Sequence, residues 1–162
     1  SMRFLVVRGF KPAAGARADR ARQERHRRDD AQDHQRLGLG VTELANLDVA
    51  SANGVVVATL SGEIDLSNAA QITRAVVGGV PNEAVGLVMD LSDVAYLDSA
   101  GVRMLAELER RLGWRSQAFR VVAPDGSRTR KVLSIAGLDG LLVLDTSVES
   151  ASASMKRSTD VS

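Results

Sequence analysis

No cysteine occurs among the 162 residues. That excludes a disulfide framework, a thiolate zinc site, an iron–sulfur cluster and a cysteine nucleophile together. Aromatic residues make up only 3%, so the core has to be aliphatic, and the exposed rings on which single-stranded nucleic acid stacks are scarce. The only two histidines, His26 and His34, stand in the N-terminal stretch. A histidine base in the rest of the chain is therefore excluded, and their spacing matches no common metal-ligand pair. No apolar run approaches the roughly 18 residues that a membrane span needs. The short apolar run after Arg3 is not that of a signal peptide. The expectation is a cytoplasmic protein without a membrane span. Neither G-x-x-x-x-G-K-[ST] nor G-x-G-x-x-G is present, so no phosphate-cradling nucleotide loop is expected.

Apolar residues make up 44% of the chain, enough for one core, and the net charge of +1 hides a split. Residues 1–36 carry 10 Lys+Arg against 5 Asp+Glu, whereas residues 37–162 carry 11 against 15. From Arg8 to Gln35 the chain is Arg, Ala, Asp, Gln and His with almost no large apolar residue. Such a stretch does not bury enough surface to offset its ordering entropy. Residues 1–40 are accordingly expected to be a basic, flexible extension, 41–156 one domain and 157–162 a flexible tail. Asp19, Glu24, Asp29, Asp30 and Asp33 dilute the basic field of the extension, so direct nucleic-acid binding is not expected.

Regular pattern begins near Val41. Leu44–Val49 alternates loosely, and Asn53-Gly54 marks a hairpin turn because both types accept positive φ. Val55–Leu60 reads as a strand broken at Gly62-Glu63-Ile64-Asp65. Ser67 or Asn68 caps a helix to about Val77, stopped by Gly78-Gly79 and Pro81. Val85–Leu91 is near-continuously apolar, which suits a strand covered on both faces, and Ser92–Asp98 reads as a loop. A helix from Ser99 to about Leu112 follows, with Val102, Leu105 and Leu108 at helical spacing. Phe119–Ala123 is a strand, Ser127 caps a helix ended by Gly137, Leu141–Leu144 is a last strand, and 147–155 is a weak helix. The fold class is α/β: a mixed sheet of four to five strands covered by about four helices.

The most informative stretch is Leu97-Asp98-Ser99-Ala100-Gly101-Val102, where a strand-like segment meets a helix start. A nucleophile elbow would need glycine at position 97 and a histidine partner, and both are missing. Two readings stay open from the residues alone. Asp98 or Ser99 caps the helix, or Ser99 is in addition a phosphorylation site, where a phosphate would meet free N–H donors and the positive helix end. A carboxylate pair such as Asp65/Asp98 without a base or metal cluster is poor support for acid–base catalysis. No enzyme activity, cofactor or metal site is expected.

Gly62-Glu63-Ile64-Asp65, then Val88-Met89-Asp90-Leu91-Ser92-Asp93-Val94, then Asp98-Ser99-Ala100-Gly101, in this order and at this spacing, resemble the STAS domain of bacterial anti-sigma factor antagonists. Pro124, the helix to Ile135 and Ala136-Gly137-Leu138 extend the likeness over about residues 43–150. The resemblance implies a partner switch. The unphosphorylated antagonist binds an anti-sigma factor that is also an ATP-dependent serine kinase and frees a sigma factor. Phosphorylation at the position of Ser99 ends that binding, and a serine phosphatase resets it. It implies a partner surface of Glu63, Asp65, Asp98, Ser99, Ala100, Gly101 and Arg103. This chain departs from the family pattern twice. Ala100 replaces a frequent Ser or Thr, leaving Ser99 as the motif's one hydroxyl, and Arg103 stands where a small or apolar residue is usual. Arg103 could pair with phosphorylated Ser99, or be solvated or paired with Glu107. An alternative from another class is a STAS domain serving as a structural or scaffold subunit of a stress-signalling assembly or of a lipid or anion transport complex.

Overall fold

The computed structural model describes residues 5–6 and 45–161, with side chains from 45 to 157. Its strands are β1 (Leu5–Val6), β2 (Ala45–Ala52), β3 (Val55–Ile64), β4 (Gly86–Leu97), β5 (Ala118–Val122) and β6 (Val143–Asp145). Its helices are α1 (Ala69–Gly78), α2 (Ser99–Trp114), α3 (Arg128–Ile135) and α4 (Val148–Val161), with a 3-10 turn at Leu138–Gly140. The strands lie in sequence order in one mixed sheet. β1–β2 and β2–β3 are antiparallel, and β3 to β6 run parallel. The two residues of β1, which fall inside the segment 1–40 read as an extension, pair with Asp48 and Leu47 of β2. His26 and His34 lie outside the described residues.

The β2–β3 hairpin turns at Asn53 (φ 55°) and Gly54 (φ 81°). Both are left-handed, which most side chains resist. β3 does not break at Gly62, contrary to the reading of Gly62–Asp65, but runs to Ile64. β4 likewise continues to Leu97 through residues read as a loop. The strands stay paired because their register shifts between Thr59 and Ser61 and again between Gly62 and Glu63, each time with an extra residue on β4. These bulges spoil the two-residue alternation: beyond Leu91 the buried positions are Val94 and Leu97. Asp90 supports the first bulge, its Oδ1 accepting from the N–H and Oγ of Ser92 at 3.0 and 2.6 Å.

With the parallel strands in sequence order, the connecting helices α1, α2 and α3 pack on one face. Ile72 and Val76 of α1, Leu105 and Leu108 of α2 and Leu133 of α3 meet Leu47, Leu60, Leu87 and Met89 there. The other face is covered by α4, where Ala151 and Met155 pack on Val55, Val88 and Val122. α4 extends well past residue 155 despite its serines, because docking rather than propensity stabilises it. α2 passes through Gly113 to Trp114. β6 starts at Val143 rather than Leu141, since the preceding 3-10 turn draws the Leu142 N–H to the carbonyl of Leu138 at 2.8 Å.

At Gly86 the sheet leaves room for α4 and for the neighbouring strand. A Cβ there would lie 2.4 Å from the carbonyl oxygen of Ala118 and 2.9 Å from Met155 Sδ. Backbone yields little to such a clash, so Gly86→Ala is expected to cost about 1–3 kcal/mol. Urea denaturation should show a lowered midpoint with an unchanged slope.

Candidate functional site

The site is built where β3 and β4 end side by side. Ile64 and Leu97 are their last register pair, and both are buried. One residue further, the Asp98 N–H donates to the Ile64 carbonyl at 3.2 Å. Two chain segments thus leave the sheet together, Asp65-Leu66-Ser67 towards α1 and Asp98-Ser99 into α2.

Asp98 has extended backbone, and its Oδ1 accepts from the N–H groups of Ala100 and Gly101 at 2.8 and 3.1 Å. It is therefore the N-cap, satisfying two of the helix's free donors. Ser99 is the first helical residue and is exposed. Ala100 and Gly101 turn inward and are buried. A Cβ on Gly101 would lie 2.4 Å from Leu97 Cδ1 and 3.2 Å from Ile64 Cγ2. The glycine lets α2 begin directly against the two strand ends. Ala100 and Gly101 thus shape the site from beneath, and the surface around Ser99 is formed by other residues.

The second segment is held as firmly. Asp65, half-buried, accepts at Oδ1 from the N–H and Oγ of Ser67 at 2.9 and 2.6 Å. Asn68 is 5% exposed. Its Oδ1 accepts from the Asp65 N–H and its Nδ2 donates to the Glu63 carbonyl, both at 3.0 Å. Asn68 stands at the N-cap position of α1, but its side chain points back to lock the turn rather than forward to cap the helix. Its role went unseen in the sequence because an asparagine before an apolar helix signals a cap first. Both candidate carboxylates, Asp65 and Asp98, are engaged with backbone N–H groups, as structural acceptors are. Glu63 is exposed and opposite exposed Tyr96 across the strand pair.

Arg103 is exposed one turn beyond Ser99 and has no polar partner among the described residues. The alternative that it contacts Glu107 is not realised. Glu107 bonds to Arg110 and Arg111, with 3.2 Å to Arg110 Nε and 2.7 Å to Arg111 Nε. First Arg110 and then Arg111 hold its carboxyl below the usual carboxylate range. The expected supply of free N–H donors for a phosphate is also smaller than read, because Asp98 already occupies those of Ala100 and Gly101.

Removing the Asp98 cap should destabilise the domain while leaving the exposed Ser99 position almost neutral. Asp98→Ala is expected to cost about 0.5–2 kcal/mol, and Ser99→Ala to fall within roughly 0.5 kcal/mol of the parent, both read from denaturant melts.

Comparison with known proteins places this geometry among relatives. The family described as "Mlab, STAS domain" matches residues 47–144. The anti-sigma-F factor antagonist RsfB of Mycobacterium tuberculosis is 39% identical over 101 residues, which span 62% of this chain and 81% of that protein. The crystal structure of an anti-sigma factor antagonist from Mycobacterium paratuberculosis superposes with a TM-score of 0.63 at 33% identity, covering 69% of this chain and 94% of that one. The anti-sigma factor antagonist SpoIIAA in its unphosphorylated form shares the fold, with a TM-score of 0.53 at 21% identity over 68% of this chain and 96% of that one.

Proposed function

The chain belongs to the STAS-domain family and to its anti-sigma factor antagonists, and from that premise we propose that it is a partner switch thrown at Ser99. It is a regulatory binding protein that acts on an anti-sigma factor. In the proposed cycle, the unphosphorylated protein binds an anti-sigma factor that is also a serine kinase, and a sigma factor is released. The kinase transfers a phosphoryl group from its own ATP to Ser99, the complex parts, and a serine phosphatase restores the hydroxyl. The chain itself carries out no chemistry, needs no cofactor and contacts no nucleic acid, and the cycle runs in the cytoplasm. Residues 1–40 lie outside the switch. No helix among the described residues is long and apolar enough to cross a membrane.

The observation that carries this reading is the division of labour at the start of α2. Asp98 closes the helix while Ser99, next to it, is exposed, with its hydroxyl free of any bond among the described residues. A modification of Ser99 therefore leaves the fold's own bonds in place. Phosphate adds about −1.5 to −2 charge at neutral pH. Here it would stand beside the carboxylate of Asp98, with the N–H donors of Ala100 and Gly101 already taken. A partner surface fitted to a neutral hydroxyl would then face a poorly paired dianion, and losing about 3 kcal/mol reduces affinity more than a hundredfold.

Ser99→Ala is expected to bind the kinase as tightly as the parent and to take no phosphate. Ser99→Asp is expected to bind at least about tenfold more weakly. Titration calorimetry with the purified kinase, and mass spectrometry after incubation with ATP, read these two outcomes. Equal binding by both variants would mean that charge at Ser99 is not the switch.

Arg103 belongs to the same proposal. It lies four residues from Ser99, so the two share a helix face. Its guanidinium is available to a phosphate through paired N–H donors. A nearby cation favours the dianion and so lowers the second pKa of phosphoserine. In Arg103→Ala that pKa should rise, as followed by phosphorus NMR, whereas an unchanged value would leave Arg103 an ordinary surface residue.

A further inference from the structure

We infer that Leu66 is a pre-formed apolar anchor that docks the anti-sigma kinase beside Ser99, an inference that rests on the partner-switch reading above. Leu66 is 76% exposed. A single exposed leucine needs no explanation; this one stands out by its position and by how it is held. Ile64 and Leu97 are paired across the parallel strands, and Leu66 and Ser99 each lie two residues beyond that pair. The strand spacing of about 4.8 Å brings the two chain exits side by side.

The turn that presents Leu66 is fixed on both sides. Asp65 accepts the backbone N–H and hydroxyl of Ser67, and buried Asn68 bonds both to the Asp65 N–H and to the Glu63 carbonyl. The Asn68 and Ala69 N–H groups close on the Asp65 carbonyl at 3.2 and 2.9 Å. A buried amide and a carboxylate are thus spent on holding a loop whose central side chain is a solvated leucine. Ordering a flexible loop on binding costs affinity, and a rigid loop avoids that cost. The other exposed large apolar side chains besides Tyr96, namely Trp114, Ile135, Leu141 and Val143, lie at the ends of α2 and α3 or at the start of β6 and just before it. These positions are at the opposite end of the parallel strands. Among the described residues, the exposed large apolar side chains at the Ser99 end are Leu66 and half-exposed Tyr96.

A lone hydroxyl contributes little binding free energy, yet phosphoryl transfer requires its oxygen to be held in line with the donor phosphate. An apolar knob beside it supplies binding energy for the docked complex without depending on charge, in the manner of an interface hot spot ringed by polar groups, while the kinase's own groups align the oxygen. Glu63 and Ser67, both exposed, form such a rim. The matching feature on the kinase is an apolar pocket near the γ-phosphate of its bound ATP.

The test uses the full-length chain and the purified kinase that phosphorylates its Ser99. Leu66→Ala is expected to weaken binding about tenfold and Leu66→Asp about thirtyfold or more, with Leu66→Met close to the parent. Phosphorylation kinetics should show the loss in KM, with kcat for Ser99 retained. Melting of all three variants should match the parent, because the turn is held by Asp65, Ser67 and Asn68. Unchanged binding and KM in Leu66→Asp, while the parent is phosphorylated at Ser99, would overturn the anchor and leave the partner switch standing. A parent chain that neither binds the kinase nor takes phosphate at Ser99 would overturn both.

Discussion

Everything at the candidate site depends on how close α2 begins to the paired ends of β3 and β4. The approach is possible because position 101 has no side chain: a Cβ would meet Leu97 and Ile64, the last residues of the two strands. It is completed by Asp98, whose backbone N–H extends the ladder to Ile64 while its carboxylate closes the helix. One residue thereby serves as the last rung of a sheet and the first bond of a helix. Ser99 inherits its exposure from that arrangement, since the next two residues have to face the core.

The neighbouring exit from β3 solves the same problem with different residues. There an aspartate accepts from the serine two positions on, and a buried asparagine ties the turn to the backbone on either side. Two rigid chain exits side by side make a surface whose shape is set before any partner arrives. A switch that works by adding charge benefits from this, because a rigid surface cannot relax around a misplaced dianion and the unfavourable interaction is felt in full.

The rest of the domain holds the sheet from both faces and this corner from one of them. Strands in sequence order send α1, α2 and α3 to one face, and α4 covers the other, seated where Gly86 leaves room for Met155. β4, the strand that leads into Asp98, is therefore buried over its first half on both sides. The platform beneath Ser99, with Ile64, Leu97 and Ala100, belongs to the larger of the two packed layers, and modification of an exposed hydroxyl at its edge leaves that packing in place.

The order of elements from β2 onward, the hairpin at Asn53-Gly54, the stop at Gly78-Gly79, the serine cap of α3 and the start of α2 at Ser99 were all readable from residue types. Each rests on a local rule: a positive φ, a side-chain acceptor before a helix, or an apolar period. The ordered motifs likewise pointed to the family before any contact was known. The lengths of β3 and β4 were not readable, because bulges break the two-residue period and only the partner strand keeps such a segment extended. Nor was the backward turn of Asn68, since a cap and a lock use the same amide. The inward placement of Ala100 and Gly101 and the isolation of Arg103 from Glu107 also waited on the fold, for they depend on which way one helix face turns against two strand ends. Sequence alone thus determined which elements form and where Ser99 stands in them. Tertiary structure decided what Ser99 is exposed beside, because neighbours across a parallel strand pair are set by register, and register here is a property of β3 and β4 together.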